Sequence, residues 1–73
     1  MNEKIEISTE YIQLQQFLKL ANVVESGGMA KMFLSEYEVY VNGELEDRRG
    51  RKLYVEDQVE IPGVGTFEVA KAN

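Results

Sequence analysis

The chain alternates between two periods of apolar residues, and each period predicts a different element. At residues 4–7 polar and apolar side chains alternate, which is typical of a half-buried strand. Four apolar side chains then recur at spacings of three and four residues: Leu14, Phe17, Leu18 and Ala21. They share one face of a helix, which we predict over about residues 13–22. The opposite face carries Gln15, Gln16 and Lys19.

A second helix is predicted from Ser26 onward. Ser26 is a good N-cap residue, and Gly27 and Gly28 follow it. Three apolar side chains share the buried face at helical spacing: Ala30, Phe33 and Leu34. The helix should end near residues 35–36, so the two helices form a helix-turn-helix pair.

The rest of the chain has the period of strands. Val39 and Val41 point to one side and Tyr40 to the other, and Asn42-Gly43 is a strong signal for a hairpin turn into a strand at Glu44. Residues 47–52 form a charged loop or distorted edge, after which Leu53 and Val55 resume the alternation. Residues 58–61 and 66–69 form two more strands around a turn at 62–65, and we expect the last strand to pair with the first.

Size and composition restrict the function. With 73 residues, the chain has room for one domain over residues 1–73 and not for a deep catalytic cleft. It has no cysteine or histidine, which removes disulfides, thiolate nucleophiles, imidazole bases and the usual zinc ligands. Acidic pairs such as Glu44 and Glu46 have the spacing of alternate outward strand positions. We therefore expect no catalysis, no metal and no cofactor. The lack of a signal peptide or membrane-spanning run predicts a soluble, cytoplasmic protein.

The charge pattern offers one candidate binding site in an acidic chain. The formal net charge is -5, which argues against nucleic acid, yet four of the eight basic residues lie together at Arg48, Arg49, Arg51 and Lys52. Potentials are screened over about 8 Å at physiological salt, so a local basic face is possible on an acidic protein. Guanidinium groups bind phosphate and stack on bases. The alternative is a solvated loop that keeps a sheet edge from pairing.

Other polar and aromatic residues are weaker candidates. Gly27 and Gly28 at a helix start could bind an anion, although most such starts are ordinary caps. Lys19 and Lys31 gain value only if they converge with the arginines. The tyrosines at positions 11, 37, 40 and 54 could include a residue that stacks on bases, whereas the phenylalanines sit at core positions. Tyr40 is the best exposed candidate, with the outer cover of the sheet as its alternative role.

Four segments together resemble a known family. They are LQQFLKLA at 14–21, SGGMAK at 26–31, VYVNG at 39–43 and RRGRKL at 48–53. Their order and spacing are similar to those of the RNA-binding domain named after ribosomal protein S-four, the alpha-L motif, in its free-standing bacterial YaaA type. The resemblance implies an α+β fold in which a helix-turn-helix pair packs on a small, mostly antiparallel twisted sheet with a β-hairpin. It also implies an RNA-binding surface made of Gln16, Lys19, Gly27, Gly28, Lys31, Arg48, Arg49, Arg51 and Lys52.

The sequence departs from that family pattern at three places. Tyr37 stands where many members have a glycine after the second helix, and Glu56-Asp57 replaces a usual Gly-Asp turn, so both turns could be strained. Gly27 stands where many relatives have an arginine after the N-cap serine. The later arginine cluster could compensate for the missing arginine at that position.

The predicted function is non-catalytic binding of structured RNA through phosphate and shape contacts. Ribosomal RNA during assembly is the first expected partner and a tRNA-like RNA the second, with ribosomal proteins as further partners and the chain acting as a monomer. The alternative is a protein-interaction module of the same fold that docks on a ribosomal or RNA-processing protein through its acidic surface and tyrosines. A small metal hydrolase would need carboxylates that converge in space.

Overall fold

The computed structural model describes residues 2–72 as two helices and seven short strands. In chain order the elements are β1 (Asn2–Ile7), β2 (Ile12–Gln13), α1 (Leu14–Leu20), α2 (Gly27–Glu36), β3 (Tyr40–Val41), β4 (Glu44–Leu45), β5 (Lys52–Leu53), β6 (Gln58–Ile61) and β7 (Gly65–Lys71). Five strands form one sheet in the order β1-β7-β6-β3-β4, and β2 pairs with β5 in a separate two-stranded ribbon. The α+β prediction is confirmed.

The last strand pairs with the first, as predicted, and the pairing is parallel. Its register runs from Asn2 opposite Thr66 to Ile7 opposite Lys71. The other strand pairs are antiparallel. The resulting sheet is mixed because β1 and β7 are joined through the rest of the chain rather than through a tight turn.

One hydrophobic cluster lies between the inner face of the sheet and the helix pair. The alternating burial of β1 and β6 puts one apolar set inward and the charged residues outward. Phe17 of α1 meets Phe67 of β7 edge to face, with ring centroids 6.2 Å apart. Leu14, Leu18 and Leu53 are fully buried beside them. The helices are thus held on the sheet by their predicted apolar faces.

Turn chemistry sets the ends of α1 and of the hairpin. Asn22 has a φ of 61°, and the amides of Asn22 and Val23 donate to the carbonyls of Lys19 and Leu18, which is a Schellman motif with asparagine in place of glycine. Asn42 and Gly43 have φ values of 52° and 86°, as a type I′ turn requires. The predicted hairpin is confirmed.

The two replaced glycines have different consequences. Tyr37 is extended, with φ -125°, so α2 ends without any left-handed residue and the predicted strain there is absent. Glu56 has a φ of 80°, a conformation that disfavours a side chain. Its turn is held by Asp57, whose carboxylate accepts from the Tyr54 amide at 2.8 Å and from the Asn42 side chain at 3.1 Å. The strain predicted for the second turn therefore lies at Glu56.

Candidate nucleic-acid interface

The basic cluster lies in a loop between β4 and β5, and a buried carboxylate organises it. We call residues 46–51 the arginine loop. Glu46 is only 6% exposed. Its Oε2 accepts from the Arg48 amide at 3.0 Å and from Arg48 Nε at 2.9 Å, while its Oε1 accepts from Arg48 Nη2 at 2.9 Å and Arg51 Nη1 at 2.8 Å. The expectation that Glu46 points outward is wrong, because it is the shared partner of two guanidinium groups.

These contacts control the protonation of the carboxylate. The hydrogen bonds from Arg48 hold the pKa of Glu46 well below its usual range, and the bond from Arg51 acts in the same direction. Burial opposes both by disfavouring the charged form. The same contact raises the pKa of Arg48. Glu46 is therefore ionised throughout the neutral range, and the loop keeps one fixed negative charge under its arginines.

The backbone of the arginine loop caps the first helix. Gln13, the N-cap residue of α1, makes no side-chain cap. Instead, the Leu14 amide donates to the Arg51 carbonyl at 2.8 Å, and the Gln15 amide donates to the Arg49 carbonyl at 2.9 Å. Two of the amides that a helix start leaves open are satisfied in this way. The helix is shorter than the predicted 13–22 at both ends, because Gln13 pairs with Lys52 in the ribbon and because the turn at Asn22 ends the helix at Leu20.

The starts of both helices and the arginine loop meet around Gln15. A side chain added at Gly27 would place its Cβ 3.5 Å from Gln15 Oε1, so the first residue of α2 lies against the first turn of α1. Ser26 caps α2 as predicted, with its hydroxyl accepting from the Met29 amide at 3.2 Å. Lys19 lies one turn after Gln15, and Lys31 is exposed one turn after Gly27.

The predicted site residues thus have different surroundings. Arg48 and Arg51 are engaged with Glu46, with side-chain exposures of 70% and 27%. Arg49 is exposed, and within residues 2–72 it pairs with no carboxylate. Lys52 is exposed, and its Nζ lies 4.8 Å from the centre of the Tyr11 ring. Gln16 faces another side of α1, in a groove shared with Tyr11 and the end of β1.

Tyr40 does not suit the role of a base-stacking residue. It is half-buried on the outer face of the sheet, opposite Glu60 in the register, and its hydroxyl donates to Glu38 at 2.9 Å. That bond and the nearby carboxylates raise the pKa of Tyr40. Glu6 and Glu68 also lie on this face. An RNA backbone would be repelled here, so Tyr40 has the structural role that was its alternative.

Sequence reasoning missed three features of this surface. The role of Glu46 was indicated by its position immediately before a basic cluster, where a carboxylate can pair with the arginines. The role of Gln15 was indicated by its position four residues before Lys19, on the exposed side of the first helix. Tyr11 and Tyr54 were both among the tyrosines considered for base stacking, but no local pattern indicates that they lie together, because they meet only through the pairing of β2 with β5.

Residues 2–72 contain neither a metal-binding cluster nor a membrane-spanning helix. No group of three or more acidic side chains in this part of the chain could hold a metal ion. Neither helix described here has the length and apolar character needed to cross a bilayer.

Comparison with known proteins agrees with the fold. Residues 5–70 match the family described as S4 domain. Over 69 residues, which make up 94% of this chain and 97% of the relative, the chain is 65% identical to a protein of Bacillus subtilis (strain 168) named "Probable ribosome maturation protein RlbA".

Proposed function

We propose that this chain, which belongs to the S4 domain family, binds structured RNA and catalyses no reaction on it. One observation carries the proposal. The arginine loop is hydrogen-bonded to the start of α1, and the start of α2 lies against the same turn. The cations of the loop and the backbone amides at the start of α2 therefore lie on one side of the molecule. Such groups can contact successive phosphates of a folded RNA.

Charge separation supports this proposal in spite of the net charge of -5. Acidic side chains line the outer face of the sheet, whereas the arginine loop is attached to α1, which covers the inner face. Over distances longer than about 8 Å the acidic face is screened at physiological salt. An RNA approaching the arginine loop, at the start of α1, would therefore meet a positive local field.

The target RNA is proposed to be ribosomal. The relative of similar length in Bacillus subtilis is named a probable ribosome maturation protein, which supports a role in ribosome assembly. The available groups suit phosphate and shape contacts. Arg49 and Lys52 are cations, and Gly27 leaves its backbone accessible. We also propose that residues 1–73 act as one RNA-binding domain, as a monomer, in the cytoplasm.

The test is a pair of charge reversals, Arg49→Glu and Lys4→Glu. Both change the net charge from -5 by two units to -7, but Arg49 lies in the arginine loop and Lys4 on the outer face of β1. Binding to protein-free ribosomal RNA is measured by fluorescence anisotropy over a series of salt concentrations. With four to six phosphates neutralised, wild type should give a slope of log affinity on log salt of roughly -3 to -5.

Arg49→Glu should weaken binding and reduce that slope by about 0.7 to 0.9 for the phosphate contact that it removes. Lys4→Glu should leave the slope near that of wild type. Equal effects of the two reversals would mean that only the overall charge matters. A wild-type slope near zero would refute RNA binding through phosphates.

A second candidate function, docking on a ribosomal or RNA-processing protein, is favoured by an apolar strip on α2. Phe33 stacks on Tyr37 with ring centroids 4.8 Å apart, and Met32 is 62% exposed beside them. These side chains line a groove of about 170 Å³ together with Glu36. Exposed Glu25 and Glu38 lie just before and after α2. An apolar strip with an acidic rim suits a basic protein partner that inserts an apolar side chain.

Isolated ribosomal precursor particles distinguish this contact from RNA binding. Met32→Glu should weaken binding to the particles while leaving affinity for RNA extracted from the same particles unchanged. Val64→Glu is the matched control, since Val64 is 56% exposed on the turn between β6 and β7. If Met32→Glu affects both probes equally, the strip contacts RNA or supports the fold, and protein docking is wrong.

A further inference from the structure

The small ribbon of β2 and β5 has one buried and one exposed face. Ile12 lies opposite Leu53, and both side chains are buried in the core. Because side chains alternate along a strand, the flanking residues point the other way. The exposed face carries Tyr11, Gln13, Lys52 and Tyr54. Strand β5 begins at Lys52, immediately after the arginine loop, so this face is continuous with the proposed RNA surface.

The two tyrosines form an exposed pair. Their ring centroids are 6.0 Å apart at an interplanar angle of 49°, and the residues are 38% and 44% exposed. Lys52 holds its ammonium 4.8 Å from the centre of the Tyr11 ring. An aromatic face beside a cation is the combination that binds single-stranded nucleic acid, because the ring stacks on a base and the cation attracts its phosphate.

A groove of about 580 Å³ opens beside Tyr11. Its walls include the side chains of Gln13 and Gln16, which have amide donors and acceptors, and Leu20, which is apolar. Glu6, near the end of β1, also lines it. A phosphate would be repelled by a nearby carboxylate, whereas a base can offer one an amino group. The groove therefore suits a base, while Lys52 and the arginine loop suit the phosphate.

We propose that Tyr11 and Tyr54 form a platform for one unpaired nucleotide of the bound RNA. The base stacks on the tyrosine pair and reaches into the groove of Gln13 and Gln16, and its phosphate lies toward Lys52. The inference rests on the proposed function and deepens it, because it predicts that the RNA has a bulge or loop at this point. It also gives Gln16 a role in contacting a base rather than a phosphate.

The experiment compares two RNA probes with the same stem. One carries a single bulged 2-aminopurine, whose fluorescence falls when it stacks on an aromatic ring, and the other is fully paired. The chain contains no tryptophan, so protein fluorescence does not interfere with the signal. Wild type should quench the bulged base and prefer the bulged RNA. The double variant Tyr11→Leu, Tyr54→Leu should lose the quenching and bind the bulged RNA about 5- to 100-fold more weakly, as expected when base stacking is removed.

Two controls separate stacking from folding. Tyr11→Phe with Tyr54→Phe keeps both rings and should retain quenching and affinity. Tyr40→Leu removes a tyrosine on the acidic outer face of the sheet, opposite Glu60, and should change neither readout. Thermal unfolding would identify a leucine variant that fails to fold. The inference would then be tested by comparing the quenching of 2-aminopurine by the phenylalanine variant with that by wild type.

The outcomes distinguish this inference from the proposed function. If neither probe binds wild type, RNA binding itself is refuted. If both probes bind equally and the bulged base is not quenched, the RNA surface stands and the tyrosine platform is wrong. Preference for the bulged RNA with quenching that survives the leucine substitutions would place the base elsewhere, and would also overturn the inference.

Discussion

Replacement of Glu46 by glutamine tests how the arginine loop is held. Each carboxylate oxygen accepts two hydrogen bonds, so whichever oxygen becomes an amide nitrogen, two donors are left facing a donor. A hydrogen bond to a charged group contributes about 1.5–3 kcal/mol. Arg48 is 70% exposed and can bind water instead, which reduces the loss. We expect Glu46→Gln to lower the free energy of unfolding by about 2 kcal/mol.

Thermal unfolding followed by circular dichroism measures this loss. In a domain of this size, 2 kcal/mol corresponds to a decrease in Tm of about 8–16 °C. The pKa of Glu46 is lowered in the folded state, so its stabilisation is complete above the unfolded pKa of about 4.3 and is lost as the pH falls through lower values. The difference between wild type and Glu46→Gln should therefore shrink steadily below about pH 4.3.

The matched control is Glu44→Gln on β4. Glu44 is exposed and, within residues 2–72, belongs to no ion pair, so this change should stay within about 0.5 kcal/mol of wild type. Unfolding of Glu46→Gln at the wild-type temperature at neutral pH would refute the role of the carboxylate. A stability difference that stays constant into strong acid would show that packing, rather than charge, is responsible.

Three further substitutions test separate features. Gly27→Arg should increase RNA affinity and steepen the salt slope by about 0.7 to 0.9 in anisotropy titrations, since the position has room for a Cβ beside Gln15. Glu56→Gly should raise the free energy of unfolding, measured with urea, by up to about 1 kcal/mol. Glycine accepts the positive φ without strain, and the added freedom of the unfolded chain offsets part of the gain. Ser26→Ala should cost about 1 kcal/mol in thermal unfolding through loss of the α2 cap.

Local patterns were sufficient to predict most of the fold. Alternation at residues 58–61 and helical spacing of Leu14, Phe17 and Leu18 identified strands and helices, because burial of one face determines which residue types stand there. Asn42-Gly43 predicted the hairpin, since few residue pairs accept two positive φ values. The pairing of β1 with β7 was also expected, and the whole α+β arrangement is confirmed.

The features that were mispredicted depend on contacts between distant segments. The first helix begins at Leu14 because carbonyls of the arginine loop cap it, and no signal near residue 14 reveals that. Val55 was expected to resume a strand, yet it is 40% exposed because the chain turns at Glu56. Periodicity detects which face of an element is buried, but it does not detect which remote backbone satisfies an open helix end.

The nine predicted RNA-contacting residues remain a prediction, but the structure changes how they should be tested. Joint removal of Arg48 and Arg49 would combine two effects, since Arg48 supports Glu46 whereas Arg49 pairs with no carboxylate in residues 2–72. A loss of RNA affinity in that double variant could then come from a disordered loop. Arg49 and Lys52 are the better single probes, because neither is bonded to Glu46.

A buried carboxylate under a loop that is proposed to bind phosphate has an electrostatic cost and an entropic benefit. Glu46 and Asp47 offset two of the four positive charges at residues 48–52, which weakens attraction to RNA. However, an arginine that is already fixed loses less side-chain freedom when it binds phosphate, about 0.5–1.5 kcal/mol for each immobilised side chain. Arg48 donates to Glu46 through Nε and Nη2, so Nη1 makes no bond to Glu46, and the side chain is 70% exposed. For the RNA binding proposed above, this order would favour an RNA whose phosphates match the spacing of the loop's cations.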